Sequence, residues 1–350
     1  MISNNRNEYF LLFDWLRIIL AIIVALGHDD VIQWQHAGNL SVQVFFALSG
    51  WLIGGILLGT KEEELPRFFF NRVTRIWIPY LIAIFLMICA SFLKDDLTAK
   101  WLEIVFYKIT FVYNLFGTSQ LEEFKHLMPL QGSVSHFWSI CAEEQFYLLA
   151  PLIIVLMPVR IGKSLLLWLI ISMLAISFNA YAAIALGVLA SILKASFGNW
   201  HMSNKSIVLL CISLFMSITF MYVESTLYIY VAPIFSIVLV LLLARPGPKN
   251  KISQFLGGMS YPFYLNHWIG IFCAHAILDP FGMRDGSLSK VIALALNLII
   301  AAVLYYLVDS NIRKYRTSWF TFSRGISSTV AAYGLMIMGL FGGLVIFNVS

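Results

Sequence analysis

The sequence has few charged residues, which fill only 12% of its 350 positions. Soluble domains carry a charge at roughly a quarter of their positions, so this scarcity excludes an ordinary soluble protein. Hydrophobic residues, by contrast, make up 60% of the chain. The composition therefore predicts a protein that is surrounded mainly by lipid, and no stretch has the composition of a separate soluble domain.

The sequence also lacks the patterns of a metal site or a disulfide framework. Its 4 cysteines all lie inside apolar segments, with no CxxC pair and no histidine at zinc spacing. HExxH, GxSxG, P-loop and GxGxxG patterns are absent, which argues against the commonest hydrolases, ATPases and dinucleotide-binding enzymes. The cysteine and histidine pattern predicts no metal. The net charge of +5 comes from basic residues in short separate loops, so a nucleic-acid partner is not expected.

Long apolar runs recur from one end of the chain to the other. Most have the roughly 17 to 25 residues that a helix needs to cross a bilayer. We predict an all-α polytopic membrane bundle of about ten core transmembrane helices with an eleventh at the C-terminus. The predicted spans are 10–28, 41–59, 74–93, 137–157, 164–178, 180–195, 206–222, 227–244, 256–276, 287–309 and 328–347.

The loop charges predict an orientation, because Lys and Arg concentrate on the cytoplasmic side of a membrane protein. A cytoplasmic N-terminus places most loop Lys and Arg residues inside. Merging the two short spans after Lys163, or extending the stretch Trp101–Phe116 into a full span, would move several basic loops outside. We therefore predict that residues 94–136 form an external excursion with an interfacial helix.

The first span carries ionisable residues, which are costly in a membrane and are candidates for function. Asp14 and Arg17 are close enough in sequence to pair on a helix. His28 follows Arg17 by about three turns, so the two share one helix face about 16 Å apart along the axis. Histidine suits general-base catalysis because its side chain titrates near neutral pH. The alternatives are an interfacial His28 beside Asp29 and Asp30, and a purely structural ion pair for Arg17.

Two adjacent carboxylates, Glu143 and Glu144, lie near the start of the fourth span. They point about 100° apart on a helix, so both cannot lie on the same face. We expect at least one to line a cavity, where it orients His28, neutralises Arg17 or holds an acceptor hydroxyl. The alternative is that one of them pairs with a buried arginine.

The cytoplasmic approach to the third span contains Arg67, Arg72 and Arg75. Arginines three residues apart share a helix face, and their forked donors match phosphate oxygens. The pattern predicts a site for an anionic cofactor with phosphates. An anchor to lipid headgroups explains the same residues equally well from the local sequence.

The remaining histidines give weaker indications. His267 lies among aromatic residues near the ninth span and predicts at most a second polar contact. The others lie near segment ends or in loops, where we expect a solvated role: His36, His126, His136, His201 and His275.

The chain carries four motifs in a fixed order. They are Phe13-Asp14-Trp15-Leu16-Arg17 through His28; Val44–Ile53 followed by Arg72-x-x-Arg75-Ile76-x-x-Pro79-Tyr80; Phe137-Trp138-Ser139 through Glu143-x-Gln145-Phe146-Tyr147; and Ser260-Tyr261 through Tyr264-Leu265-x-His267. Together they resemble the membrane-bound acyltransferase-3 family of bacterial sugar and polysaccharide O-acyltransferases, over about Phe10 to Val308. The sequence departs from the family at Trp15, where glycine is usual, and at Gly27, where a bulky residue is frequent. Those departures concern the shape of the pocket more than its chemistry.

The resemblance implies an enzyme that moves an acyl group, with acetyl expected, from acetyl-CoA or another acyl-CoA to a saccharide or polysaccharide hydroxyl. It implies donor binding in the cytoplasm, an acceptor on the outer side and a bacterial inner membrane location, with membrane lipid as a partner. The transmembrane domain of this kind is expected over residues 1–327, and residues 328–350 form the C-terminal helix. The resemblance implies the following roles: His28 as catalytic base, Arg17 and Glu143 in the catalytic site, Arg72 and Arg75 in acyl-CoA binding, and Asp14, Ser139, Glu144 and His267 as supporting residues.

Other functions remain open at this point. A transporter or flippase of a saccharide or anionic metabolite also places Arg, His and Glu within the membrane, but it predicts inverted repeats that the sequence does not show. A scaffold or sensor predicts that Arg17 and His28 tolerate substitution. Macrolide or lipid hydroxyls are alternative acceptors, and the sequence does not separate direct transfer from a two-step route through acyl-His28.

Overall fold

The computed structural model describes residues 9–94, 98–120, 134–284 and 286–347, and within these ranges it contains helices and no strand. The α-helices are α1 (Leu11–His28), α2 (Ala37–Leu58), α3 (Leu65–Lys94), α4 (Ala99–Ile109), α5 (Tyr113–Phe116), α6 (Trp138–Pro151), α7 (Val159–Gly162), α8 (Leu165–Ser177), α9 (Ala182–Phe197), α10 (Asn204–Val223), α11 (Tyr228–Leu243), α12 (Lys251–Leu278), α13 (Ser287–Leu304), α14 (Ser310–Trp319) and α15 (Phe322–Phe341). Short π-helical segments continue α6, α13 and α15.

The predicted all-α membrane bundle is confirmed. Eight helical segments of the described chain are long and apolar enough to cross a membrane: Leu11–His28, Ala37–Leu58, Glu62–Leu93, Val134–Leu156, Asn204–Val223, Ser225–Leu243, Ser287–Trp319 and Phe322–Ile346. The three other predicted spans fall on α8, α9 and α12. Every predicted span therefore corresponds to a helix.

The two short spans after Lys163 are separate helices, as the loop charges predicted. Between α8 and α9 the chain turns at Asn179 and Tyr181, which have φ angles of 50° and 53°. This left-handed region is uncommon for residues other than glycine, and it interrupts an α-helix. The hydrophobic pattern runs through this turn, but the backbone does not continue as one helix.

The predicted external excursion contains the helices α4 and α5. Thr98 caps α4, because its side-chain oxygen accepts a hydrogen bond from the backbone nitrogen of Trp101 at 3.1 Å. Residues 95–97 and 121–133 of the excursion lie outside the described residues. An ion pair joins Lys100 to the buried Glu103 at 2.8 Å, so α4 has a polar contact even where it packs inward.

The described residues group into two compact units. The first unit comprises the described residues of Met1–Val24, Trp34–Glu63 and Leu149–Gly257. The second unit comprises the described residues of Ala25–Gln33, Glu64–Leu148 and Gly258–Ser350. In the first unit α2 packs closely against α9, with α11 beside both. In the second unit α3 packs against α15, where Phe69 meets Tyr333 at a ring-centroid distance of 5.6 Å.

Glycine permits the close approach of α2 and α9 in the first unit. A Cβ atom at Gly50 would overlap the carbonyl oxygen of Ile184, and a Cβ atom at Gly187 would overlap the carbonyl oxygen of Ala47. Small residues at such crossings let membrane helices pack backbone to backbone, because lipid offers little other driving force for association. The two glycines therefore set the distance between these helices.

We expect Gly50→Leu to destabilise the protein by at least about 1–3 kcal/mol, because the added side chain meets fixed backbone atoms. Gly55→Leu is a matched control on the same helix, since no atom lies within 4 Å of a Cβ at Gly55. The measurement is the melting temperature of both purified variants in one lipid mixture. Equal melting temperatures for the two variants would contradict this account of the helix crossing.

Candidate active site

Three histidines from separate segments of the second unit lie side by side. His28 is the last residue of α1, His136 precedes α6 and His267 lies in α12. The ring centroids are 5.3 Å apart for His28 and His267, 6.0 Å for His28 and His136, and 4.5 Å for His136 and His267. The end of α1 thus places His28 beside two further imidazole rings.

Backbone carbonyl groups determine which ring nitrogens carry protons. His267 Nδ1 lies 2.8 Å from the carbonyl oxygen of Tyr264, and His136 Nε2 lies 3.3 Å from that of Leu265. A carbonyl oxygen only accepts hydrogen bonds, so these two nitrogens are the donors. His267 Nε2 is therefore an acceptor, and it has no hydrogen-bond partner among the described residues. The cluster offers an acceptor nitrogen next to His28.

The three histidines differ in exposure. His136 and His267 have 2% and 0% of their surface exposed, whereas His28 is only partly buried. A general base must reach its substrate, so among the three rings His28 is the one placed to meet a hydroxyl group. Within the described ranges, no group of three or more His, Cys, Asp or Glu side chains is placed to hold a metal ion.

Ser139 and Tyr264 brace the cluster. The hydroxyl oxygens of Ser139 and Tyr264 lie 2.6 Å apart, and each hydroxyl also lies within hydrogen-bond distance of the His136 carbonyl oxygen, at 3.0 Å and 3.2 Å. These contacts tie the start of α6 to α12. We call His28, His136 and His267 the histidine cluster. Of the predicted supporting residues, His267 belongs to this cluster and Ser139 contacts it through the His136 carbonyl oxygen.

Acidic Asp29 follows His28 directly. Its Oδ1 lies 3.8 Å from His275 Nε2. Burial raises the pKa of Asp29, and the nearby charges of His275 and Lys290 oppose that rise. The α1 end is therefore held to α12 by a partly buried polar pair beside the cluster.

Arg17 belongs to the first unit, where it pairs with Asp14 as the sequence predicted. Arg17 Nη1 lies 3.2 Å from Asp14 Oδ1. Tyr9 donates a hydrogen bond to the other carboxylate oxygen at 2.6 Å, and the Tyr9 hydroxyl lies 2.8 Å from Ser253 Oγ. The network links α1 to α12 and fixes the direction of the arginine side chain.

The adjacent glutamates occupy different environments in the second unit. Glu144 is buried and accepts a hydrogen bond from Trp77 Nε1 at 3.0 Å, and its charge interacts with that of Arg72. Glu143 is partly exposed and accepts a hydrogen bond from the Tyr147 hydroxyl at 3.0 Å. Glu144 lies in the electrostatic field of Arg72, and the alternative in which one glutamate pairs with a buried arginine stays a prediction.

Arg72 is held by aromatic rings as well as by charge. Its guanidinium carbon lies 5.7 Å from the ring centroid of Phe68 and 5.9 Å from that of Tyr147, within the range of cation–π attraction. Its Nε is buried and has no hydrogen-bond partner among the described residues. The Nε donor of this side chain is therefore unsatisfied within the described residues.

Four arginines of the second unit form an electrostatically linked group, and two of them interact with Asp309. Arg72 and Arg75 come from α3, whereas Arg313 and Arg316 come from α14. Asp309 interacts with the charges of Arg75 and Arg313, and Arg75 interacts with the charges of Arg72 and Arg316. The two carboxylates that interact with these four arginines, Asp309 and Glu144, leave positive charge in excess, which favours a ligand with several negative charges. We call these four arginines the basic cluster.

Two parts of this arrangement were not predicted from the sequence. The expected solvated role of His136 and His201 is wrong, because each has only 2% of its surface exposed; His126 lies outside the described residues. The position of His136 directly before the Phe137-Trp138-Ser139 motif was the available signal. Arg313 and Arg316 are among the loop residues that predicted only the membrane orientation, although they repeat the spacing of Arg72 and Arg75.

Comparisons with known proteins agree on one family. A family model described as an acyltransferase domain matches residues 11–308. A provisionally named O-acetyltransferase of Staphylococcus aureus strain COL is 29% identical over 172 residues, which cover 45% of this chain and 27% of that protein. The O-acetyltransferase OatA of Staphylococcus aureus strain NCTC 8325 is 32% identical over 148 residues, or 40% of this chain and 24% of that protein. The matched region thus spans about a quarter of these relatives, and no solved structure shows significant similarity.

We expect Trp77→Phe to destabilise the protein more than Trp268→Phe does, by about 1–3 kcal/mol, because only Trp77 donates to a buried carboxylate. Both indoles are buried, and Trp268 Nε1 has no hydrogen-bond partner among the described residues. The pair of variants therefore separates the lost hydrogen bond from the lost packing. Melting curves of both proteins in one detergent provide the measurement, and an equal loss for both would show that the bond to Glu144 contributes nothing.

Proposed function

This chain belongs to the acyltransferase-3 family, and on that premise we propose that it moves an acyl group from acyl-CoA to a saccharide hydroxyl. The observation that carries the proposal is the partly exposed His28 beside the acceptor nitrogen of His267. The relatives are named O-acetyltransferases, which favours acetyl as the transferred group. A polysaccharide is the expected form of the acceptor.

In the proposed reaction His28 is the general base. It takes the proton from the acceptor hydroxyl, and the oxygen attacks the carbonyl carbon of the thioester. The carbon–sulfur bond breaks, the ester forms, and the departing thiolate takes up the proton that His28 had accepted, which returns His28 to its neutral form. His267 Nε2 accepts a hydrogen bond from the imidazolium of His28, which stabilises the charge that the base acquires.

The basic cluster is the proposed site of the CoA phosphates. Arg72 and Arg75 present guanidinium groups whose donors match phosphate oxygens. Arg313 and Arg316 add two further guanidinium groups from α14. The excess of positive charge around Asp309 supports a donor with several phosphates rather than a single carboxylate. The rings of Phe68 and Tyr147 orient the guanidinium group of Arg72 for this binding.

The proposed orientation places these two regions on opposite sides of a bacterial inner membrane. The chain is a multi-pass membrane protein, and a cytoplasmic N-terminus agrees with the distribution of Lys and Arg in the loops. α1 then ends outside at His28, whereas α3 begins inside near Arg72. The donor enters from the cytoplasm and the acceptor from the outer side.

Glu143, Arg17 and Asp14 complete the proposal. Glu143 is partly exposed and is assigned to hold hydroxyl groups of the acceptor, because carboxylates accept such bonds readily. Arg17 is a fixed cation whose direction is set by Asp14. It is assigned to binding or to charge stabilisation during transfer.

We expect His28→Ala to lower kcat by roughly 10²–10⁴-fold, the usual contribution of a general base. The experiment supplies acyl-CoA and a panel of saccharides to purified protein in lipid and follows the release of free thiol. His36→Gln is the control, because His36 stacks on Tyr228 at a ring-centroid distance of 4.0 Å in the first unit and has no proposed role in transfer.

Both variants must show the melting temperature of the unchanged protein before their activities are compared. Full activity of the folded His28→Ala variant would contradict the assignment of His28 as the general base. The absence of thioester consumption with every acceptor would instead favour a transport function.

For the donor site, we expect Arg313→Gln and Arg316→Gln each to raise the KM for acyl-CoA by about tenfold, the scale of one lost charge-assisted hydrogen bond. The KM for the acceptor should stay unchanged. Arg324→Gln is the control, since Arg324 is an exposed arginine that donates to the carbonyl of Trp319 at 2.7 Å. An unchanged donor KM in both variants would remove α14 from the donor site.

A further inference from the structure

Lys108, in α4, is a cation that the proposed chemistry leaves unused. None of its surface is exposed. Complete burial of a lysine is rare because removing an ammonium group from water is costly. Among the described residues no carboxylate pairs with Lys108, so a surface salt bridge does not explain its position.

Uncharged groups surround the amine of Lys108. Its Nζ donates to the carbonyl oxygen of Val134 at 3.2 Å and to Met87 Sδ at 3.6 Å. The same atom lies 4.7 Å from the ring centroid of Tyr113 and 5.2 Å from that of Phe137. A carbonyl dipole and two aromatic faces are favourable neighbours for an ammonium group in a site without water.

The backbone of Lys108 is also fixed. The buried Tyr80 hydroxyl donates to the carbonyl oxygen of Lys108 at 3.0 Å. This bond ties the end of α4 to α3, so the lysine stem starts from a defined position. The Lys108 side chain is consequently held at both ends, by its backbone and by its amine, which limits the movement of the amine.

The partners of Lys108 flank a member of the histidine cluster. Val134 and Phe137 lie on either side of His136 in the short helical turn before α6. The rings of Phe137 and His136 are in contact at a centroid distance of 4.6 Å. From the other side, the carbonyl oxygen of Leu265 lies 3.3 Å from His136 Nε2. His136 is therefore held between α12 and the residues that Lys108 contacts.

We propose that Lys108 is a positioning residue for His136: its amine fixes Val134 and Phe137 and so sets where the His136 ring stands beside His28. The consequence for acyl transfer rests on the proposed function, whereas the placement of His136 does not. The amine reaches neither substrate nor base directly. Its effect passes through the backbone of the turn that carries His136.

The protonation of Lys108 provides a way to observe this link. Burial lowers the pKa of Lys108 from 10.5 to about 7. The titratable groups that face it are Tyr80 from α3, Tyr113 from α5 and Cys141 from α6. In the unfolded chain lysine keeps its proton to about pH 10.4, so burying the charged amine costs stability below pH 7, and this cost shrinks as the pH rises toward 10.

The test uses the peptide bond between Ser135 and His136, which is the only serine–histidine step in the sequence. Protein labelled with carbonyl-¹³C serine and ¹⁵N histidine in lipid nanodiscs gives a single coupled NMR signal from that bond. We expect this signal to change with pH around 7 in the unchanged protein. In Lys108→Met, which keeps the length of the side chain and removes the donor, the signal should shift and lose that change.

Lys100→Met is the matched control, because Lys100 lies on the same helix and pairs with Glu103. Its signal should match that of the unchanged protein at every pH. The melting temperature of the unchanged protein should also rise relative to Lys108→Met between pH 7 and 10. If Lys108→Met fails to fold, Lys108→Gln takes its place, and the loss of the change around pH 7 is again the expected result.

Activity gives a second and separable result. We expect Lys108→Met to lower kcat by about tenfold to a hundredfold, the scale of a misplaced catalytic group, without raising the KM for acyl-CoA. A Lys108→Met signal identical to the unchanged one at every pH overturns the proposal, whatever the activity. A displaced signal in a chain with no transferase activity would contradict the proposed function and leave the placement of His136 by Lys108 supported.

Discussion

Hydrocarbon offers no hydrogen bonds, so a buried polar side chain in this protein must find its partner within the protein. The described structure meets this demand at several candidate positions, while Arg72 Nε and His267 Nε2 have no hydrogen-bond partner among the described residues. Asp14 pairs with Arg17, Trp77 donates to Glu144, and a backbone carbonyl accepts from His267. Because each partner has a fixed place on a helix, the functional group that it satisfies also acquires a fixed direction. The contacts that satisfy these buried polar groups therefore also organise the candidate site.

The basic cluster and the histidine cluster of the second unit present opposite electrostatic situations. The basic cluster retains more positive than negative charge around Asp309, and such an excess is stable only where water or an anionic ligand can reach it. The histidine cluster is built from side chains that remain uncharged while they donate to carbonyl groups. In the proposed reaction, the basic cluster would suit the negatively charged acyl donor, and the histidine cluster would suit the uncharged hydroxyl of the acceptor.

Much of the fold could be predicted because a membrane span is a local property of the chain. Length and hydropathy predicted a helix at each membrane span, and the spacing of Arg72 and Arg75 predicted a phosphate-type site, which stays a prediction. The sequence could not predict that His136 joins His28, or that Arg316 joins Arg75, because those residues are far apart in the chain and meet only through helix packing. Lys108 shows the same limit, since its local sequence resembles that of an ordinary interfacial helix.

The carbonyl partners also explain which histidine is placed to act. A carboxylate partner would favour the imidazolium form, whereas a carbonyl oxygen accepts equally well from a neutral ring and adds no charge. His136 and His267 are buried and held in this way, so a proton on either ring would add a charge without water to stabilise it. His28 is partly exposed and lies beside the acceptor nitrogen of His267. In the proposed reaction, the cost of burying charge would therefore direct the proton of the acceptor hydroxyl to His28, with the other two histidines as its support.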